Sequence, residues 1–148
     1  MRTVVVGVGN PILGDDGVGI HVARELKGKV DVDVREAYTG GLNLLDLIIG
    51  YDRAVLVDAV YLDGMRAGEV KALSLDDLES AHSSNPHDAT LMEAIEVSKR
   101  MGGGRIPRYI VLVGIRIEPV KDFSETLSPA VEASIPDAVR EVMGLLSP

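Results

Sequence analysis

The stretch Val4-Val5-Val6-Gly7-Val8-Gly9-Asn10-Pro11-Ile12-Leu13-Gly14-Asp15-Asp16-Gly17-Val18-Gly19 decides the fold. It opens as a run of β-branched apolar residues, the pattern of a strand buried on both faces of a parallel sheet. It then becomes a turn of Gly, Asn and Pro, residues that allow sharp changes of backbone direction. The turn delivers two adjacent carboxylates, Asp15 and Asp16, at the start of a segment with helical apolar spacing. In an open α/β sheet, the loop after such a strand lies at the carboxyl edge, where ligands bind. Acid groups therefore reach the expected site by the sixteenth residue.

Working outward, the chain alternates in type. Arg2 to Val8 reads as the first strand. Asp16 to Leu26 reads as a helix, with Val18, Val22 and Leu26 on one face, Ile20 and Ala23 beside it, and Asp15 as its N-cap. Val30, Val32 and Val34 alternate with charged residues, the period of a half-buried strand. Leu42, Leu45, Ile48 and Ile49 form a helical stripe that ends at Gly50. Arg53 to Val60 is a third strand, apolar except for Asp58 near its end. Glu69 to Leu75 follows with no room for a crossover helix, so it is expected to be antiparallel at a sheet edge. Asp76 to Ser80 is read as a helical turn, and His82 to His87 as a polar loop. A helix capped by Asp88 or Thr90 then runs to Met101, and Gly102-Gly103-Gly104 ends it. Tyr109 to Ile117 is the last strand. Leu127 to Leu146 is a closing helix, broken or kinked at Pro136.

This order predicts a three-layer α/β/α sandwich on a mostly parallel five-stranded sheet, with one short antiparallel edge strand. The 148 residues fit one domain, 1–148. Hydrophobic residues make up 46% and aromatics 3%, so the core must be aliphatic. The absence of cysteine excludes disulfides, thiolate metal sites and cysteine nucleophiles. The formal net charge of −8 argues against nucleic acid or an anionic membrane as partner. No apolar run is long enough to span a bilayer, and no signal-peptide core is present; a cytoplasmic protein is expected.

The topology places Asp16, Asp58 and the end of the His82–His87 loop near one sheet edge. Two carboxylates and an imidazole on separate loops suit a divalent first-row metal such as nickel, zinc or manganese. Without metal, the same groups could act as acid and base. Plainer readings stand beside these. Asp15 is an N-cap, and a carboxylate at Asp16 is favoured by the helix dipole in any case. Asp58 carries more weight, because a charge near the end of an apolar strand needs a partner, a cap or solvent. His82 and His87 are equal candidates on composition, and His21 reads as a solvated helix residue.

Several familiar sites are absent. Ile12 stands where the dinucleotide fingerprint has its third glycine, and there is no phosphate-binding loop, nucleophile elbow or His-Glu-x-x-His helix. A phospho-acceptor receiver domain is a better rival, with its acidic pair after the first strand and an Asp ending the third. Here, however, the acids lie well past the strand end, and the last strand supplies no lysine at its end.

The motifs in their order resemble the hydrogenase maturation proteases, the endopeptidases that trim the C-terminal tail from the large subunit of nickel–iron hydrogenases. The resemblance is carried by Gly7-Val8-Gly9-Asn10 through Asp15-Asp16-Gly17-Val18-Gly19, Tyr38-Thr39-Gly40-Gly41-Leu42, Val57-Asp58-Ala59-Val60 and Gly68-Glu69-Val70. Pro86-His87-Asp88, Gly114-Ile115-Arg116-Ile117-Glu118-Pro119 and Leu127-Ser128-Pro129 complete it. It implies a single domain of that type over 1–148. It implies that Asp16, Asp58 and His87 are the metal-engaging and catalytic residues, with His87 preferred to His82 because it stands directly before a helix. Some members have glutamate in place of Asp16. Asn10, Asp15 and Gly41 are expected to shape the substrate pocket. The nickel is expected to be carried by the large-subunit precursor, with zinc or cadmium as a stand-in on the isolated protein. A monomer is expected. A non-catalytic, metal-sensing or chaperone-like relative that binds the precursor without cutting it is the alternative from another class.

Overall fold

A computed structural model describes residues 1–38, 41–74, 100 and 105–147, with the side chains of residues 41–43 left aside. The expected helical turn at Asp76 to Ser80, the His82–His87 loop, the helix from Asp88 or Thr90 and the Gly102–Gly104 stop lie outside the described residues.

Five strands form one sheet: β1 (Thr3–Val8), β2 (Asp33–Ala37), β3 (Arg53–Val60), β4 (Val70–Ser74) and β5 (Tyr109–Arg116). Their order is β2-β1-β3-β5-β4. The pairs β1–β2, β1–β3 and β3–β5 are parallel, and β4 runs antiparallel to β5 at the edge. Both expectations, the parallel body and the reversed edge strand, hold. Since β4 follows β3 across a short turn, it cannot make a parallel crossover and reverses instead.

Alternation along the central strands splits the core in two. Val5, Val55, Val57, Ala59, Val113 and Ile115 face one way. They are covered by Val18, Val22 and Leu26 of α1 (Val18–Leu26) and by Val131, Ala138 and Val142 of α3 (Pro129–Leu146). Val4, Val6, Val8, Leu56, Val60 and Leu112 face the other way, against Leu44 and Ile48 of α2 (Gly41–Ile48). Burial on both faces is why β1 and β3 read as near-continuous apolar runs. Each fully buried Val, Leu or Ile contributes roughly 1.5–3 kcal/mol of transfer free energy, so a core that is aliphatic but for Tyr51 among the described residues suffices.

β1, β4 and β5 differ from expectation by single residues at their ends, and three other boundaries differ for physical reasons. The second strand begins at Asp33 rather than Val30, because pairing with β1 starts at Val4↔Asp33. Val30 and Val32 instead pack as half-buried side chains against the α1 face. The expected helix from Asp16 divides into a 3-10 turn, Gly14–Gly17, and α1. The closing helix begins at Pro129, the favoured first-turn position for proline, and runs as one element through Pro136.

Candidate functional site

β1, β3 and β5 are adjacent and parallel, so their carboxyl ends share one edge. The first loop is shaped by Asn10. Its side-chain Oδ1 accepts the Ile12 N–H at 3.1 Å, and its carbonyl accepts the Leu13 N–H at 3.0 Å. These bonds fold the chain back on itself after β1, the short-range turn habit of Asn. The Asn10 N–H then points at Asp16, whose Oδ2 accepts it at 3.1 Å.

Close backbone approach brings Asp16 down to the sheet. A Cβ on Gly9 would lie 2.2 Å from the Asp16 carbonyl oxygen. A Cβ on Gly19 would lie 2.2 Å from the Val57 carbonyl and 2.4 Å from that of Val8. Only glycine fits at either place, and the first turn of α1 therefore rests directly on the ends of β1 and β3. Asp16 is consequently 6% exposed. Asp58, two residues before the end of β3, is 4% exposed, and its Oδ1 accepts the Ala59 N–H at 2.8 Å.

Tyr61 directly follows β3. Burial pushes its phenol above the ordinary value, and the negative charges of Asp16 and Asp58 push it further, while the Arg116 guanidinium opposes them. One phenol thus lies within electrostatic range of both acids and of the cation ending β5. Asp16 lies in the turn on the end of β1 and Asp58 near the end of the neighbouring β3, so both stand at the carboxyl edge.

The remaining expected residues fall as follows. Asp15 caps neither the 3-10 turn nor α1, since neither start carries a side-chain cap bond. Instead its carboxylate accepts from the Ser128 N–H at 2.7 Å and the Ser128 hydroxyl at 2.8 Å, at the N-cap of α3. Gly14 and Ser124 reinforce this strap with a 2.7 Å backbone bond beside a Leu13–Ser124 bridge. Gly41 is the first residue of α2. His21 sits half-exposed within α1. His87 and His82 lie outside the described residues, and among the described residues no three His, Asp or Glu side chains gather as a cation site. Tyr61 and Arg116 were not singled out from sequence. For Arg116 the signal was the one used for Asp58, a charge at the end of an apolar strand.

The sequence matches the family model described as hydrogenase maturation protease over residues 20–145. The chain belongs to the hydrogenase maturation protease family. The hydrogenase 2 maturation protease of Escherichia coli is 26% identical, over 99% of this chain and 91% of that protein. The structure of the hydrogenase-maturating endopeptidase HybD from E. coli superposes with a TM-score of 0.83 at 26% identity, covering 99% of this chain and 92% of that one. HybD from Thermococcus kodakarensis gives 0.81 at 25% identity, covering 99% and 100%. The fold expected from sequence is the fold of this family. The family match begins after Asp16 and includes the positions of Asp58 and His87. Among the described residues of this family member, no helix is long and apolar enough to cross a membrane.

Proposed function

We propose that this chain is a cytoplasmic endopeptidase that removes the C-terminal extension from the nickel-loaded large-subunit precursor of a nickel–iron hydrogenase. Asp16, Asp58 and His87 engage the nickel that the precursor presents, and Asn10, Asp15 and Gly41 shape the pocket around it. The observation that supports this reading is the burial of two carboxylates, Asp16 and Asp58, at the carboxyl ends of the adjacent strands β1 and β3, in a member of a protease family. Buried carboxylates need charge or hydrogen-bond partners, and a dication would serve both. Oxygen ligands with one imidazole leave coordination positions for a substrate group. A cation held there polarises a carbonyl or positions the scissile bond.

The chain's own groups have defined tasks in such a reaction. Asn10 orients Asp16 through its N–H, and Ala59 orients Asp58 in the same way. The Ser128 tether holds the loop that carries Asp16. Hydrolysis adds water across the peptide bond: the hydroxyl goes to the carbonyl carbon and the proton to the leaving amine.

The test is incubation of the purified chain with nickel-loaded precursor, read as intact mass. Wild type should release the tail. Asp16→Ala, Asp58→Ala and His87→Ala should leave the precursor whole while keeping a folded circular-dichroism spectrum. Normal processing by Asp58→Ala or His87→Ala defeats the assignment. A wild-type chain that binds the precursor and leaves its mass unchanged indicates a precursor-binding protein without peptidase activity.

A further inference from the structure

We propose that Arg116 is a substrate-binding residue, and that its guanidinium receives a main-chain carbonyl oxygen of the precursor beside the scissile bond. The proposal rests on the endopeptidase reading above and adds a binding group to it.

Position comes first. Arg116 is the last residue of β5 and pairs with Val60, while Gly114 pairs with Asp58. Partners in a parallel pair share a face, and residues two apart on one strand do too. Asp58 and Arg116 therefore stand on the same face, with Arg116 one step nearer the carboxyl edge. Gly114 puts no side chain beside Asp58. A Cβ there would meet the Val60 methyls at 3.0 and 3.1 Å and Leu73 Cδ1 at 3.4 Å. The backbone of Arg116 is fixed by the segment before β4: its N–H donates to the Glu69 carbonyl at 3.0 Å and its carbonyl accepts the Gly68 N–H at 2.8 Å.

The guanidinium itself is underused. Its Nε is buried and, among the described residues, has no hydrogen-bond partner. Its ion pair is with Glu118, at 4.0 Å, and the Glu118 side chain is 69% exposed. An exposed partner at that distance holds a guanidinium weakly. A buried donor left unpaired costs about 1–3 kcal/mol, and native proteins seldom leave one without a reason. The same guanidinium lies within electrostatic range of Tyr61, as do Asp16 and Asp58. A fork of N–H donors whose buried Nε lacks an acceptor thus stands on the face of the sheet that carries Asp58.

The required ligand follows from this chemistry. Among the described residues, the anion paired with the guanidinium is the exposed Glu118. A planar N–H fork fits a carbonyl or carboxylate oxygen better than any other group of a peptide. Peptide hydrolysis presents such an oxygen at the cleaved carbon before and after the reaction.

The experiment compares wild type, Arg116→Gln and Arg116→Lys on nickel-loaded precursor, measuring kcat and KM separately, with Tm recorded for each. Arg116→Gln should lower kcat/KM at least tenfold with little change in Tm, and Arg116→Lys should recover part of the loss. A rise in KM alone identifies a carbonyl flanking the cleaved bond, and a fall in kcat identifies the scissile carbonyl itself. Wild-type kcat/KM in Arg116→Gln overturns this proposal and leaves the peptidase reading standing. Equal losses of activity and Tm in both variants overturn it in favour of a structural arginine. A wild-type chain that does not cleave overturns both.

Discussion

Asp15 and Ser128, 113 residues apart in sequence, are joined by two hydrogen bonds at 2.7 and 2.8 Å. The bonds tie the loop carrying Asp16 to the start of α3. They also explain why the Ser128 side chain makes no capping bond to its own helix. The two residues should therefore be coupled. Asp15→Ala should destabilise the protein by about 1 kcal/mol, the usual scale for a hydrogen bond to a charged group discounted for exposure. Ser128→Ala should cost about 0.5–1 kcal/mol in wild type and close to nothing in the Asp15→Ala background. Urea denaturation of the four proteins measures this. Full additivity would show that the tether is not holding the loop.

The glycines that let α1 rest on the sheet give a second prediction, with a built-in contrast. At Gly19 an added methyl would lie 2.2 and 2.4 Å from two strand carbonyls, which cannot give way without moving β1 or β3. Gly19→Ala should destabilise by at least about 2 kcal/mol, at the upper range for an overpacked site. It should also disturb the site, because α1 is continuous with the turn that carries Asp16. Gly144, near the end of α3, has nothing within 4 Å of its added Cβ. Gly144→Ala should stabilise by up to about 1 kcal/mol through helix propensity. Tm measurements on the two variants should move in opposite directions.

These contacts mark what a sequence can and cannot show. Arg53–Val60 was legible to the residue because burial on both faces left an unbroken apolar run. The edge position of β4 followed from the short connection before it. The second strand was misplaced by three residues because Val30 and Val32 are half-buried by packing on the α1 face, while ladder pairing starts only at Asp33. Asp15 has the local pattern of an N-cap, and local patterns carry no information about Ser128. Asp58 stood out as a charge in an apolar run, whereas Arg116 gave the same signal inside a stretch read only as part of the family resemblance. What brings the turn carrying Asp16 down onto the ends of β1 and β3 is the close approach at Gly9 and Gly19, visible in sequence as glycines but not as contacts.

Glu36 supplies a pH-dependent prediction. Burial raises its pKa, but hydrogen bonds from Lys27, Tyr38 and Arg24 outweigh that and bring it down to about 2. Lys27 Nζ lies 2.5 Å from Oε2, and Arg24 Nη2 lies 3.1 Å from Oε1, which ties the C-terminal part of α1 to β2. A carboxyl whose folded pKa is depressed stabilises the fold above its unfolded value, near 4.5, and loses that contribution as pH falls towards 2. Glu36→Gln should therefore cost about 1–2 kcal/mol at pH 7, the partners being half-exposed and screened. The gap to wild type should close between pH 4.5 and 2. Denaturation midpoints across that range test it, and a gap independent of pH would assign the effect to packing alone.

Tyr61 allows the meeting of the two acids to be tested without any substrate. Burial raises its pKa above 10.0, the charges of Asp16 and Asp58 raise it further, and Arg116 lowers it. If both carboxylates face this phenol, Asp16→Asn and Asp58→Asn should each lower its pKa, and Arg116→Gln should raise it. The protein has 4 tyrosines, so the Tyr61 signal is isolated as the difference between each alkaline ultraviolet titration and that of the matching Tyr61→Phe variant. The sign for stability follows by linkage: a phenol with a raised folded pKa contributes stability that is present below its unfolded value and lost as pH rises through the folded one. Wild type should therefore lose more stability than Tyr61→Phe in that alkaline range. A dication held between the acids would cancel their charge, so adding zinc should lower the Tyr61 pKa in wild type and much less in the Asp58→Asn protein. A Tyr61 titration unmoved by either Asp substitution would place the carboxylates apart and remove the shared corner on which the peptidase mechanism depends.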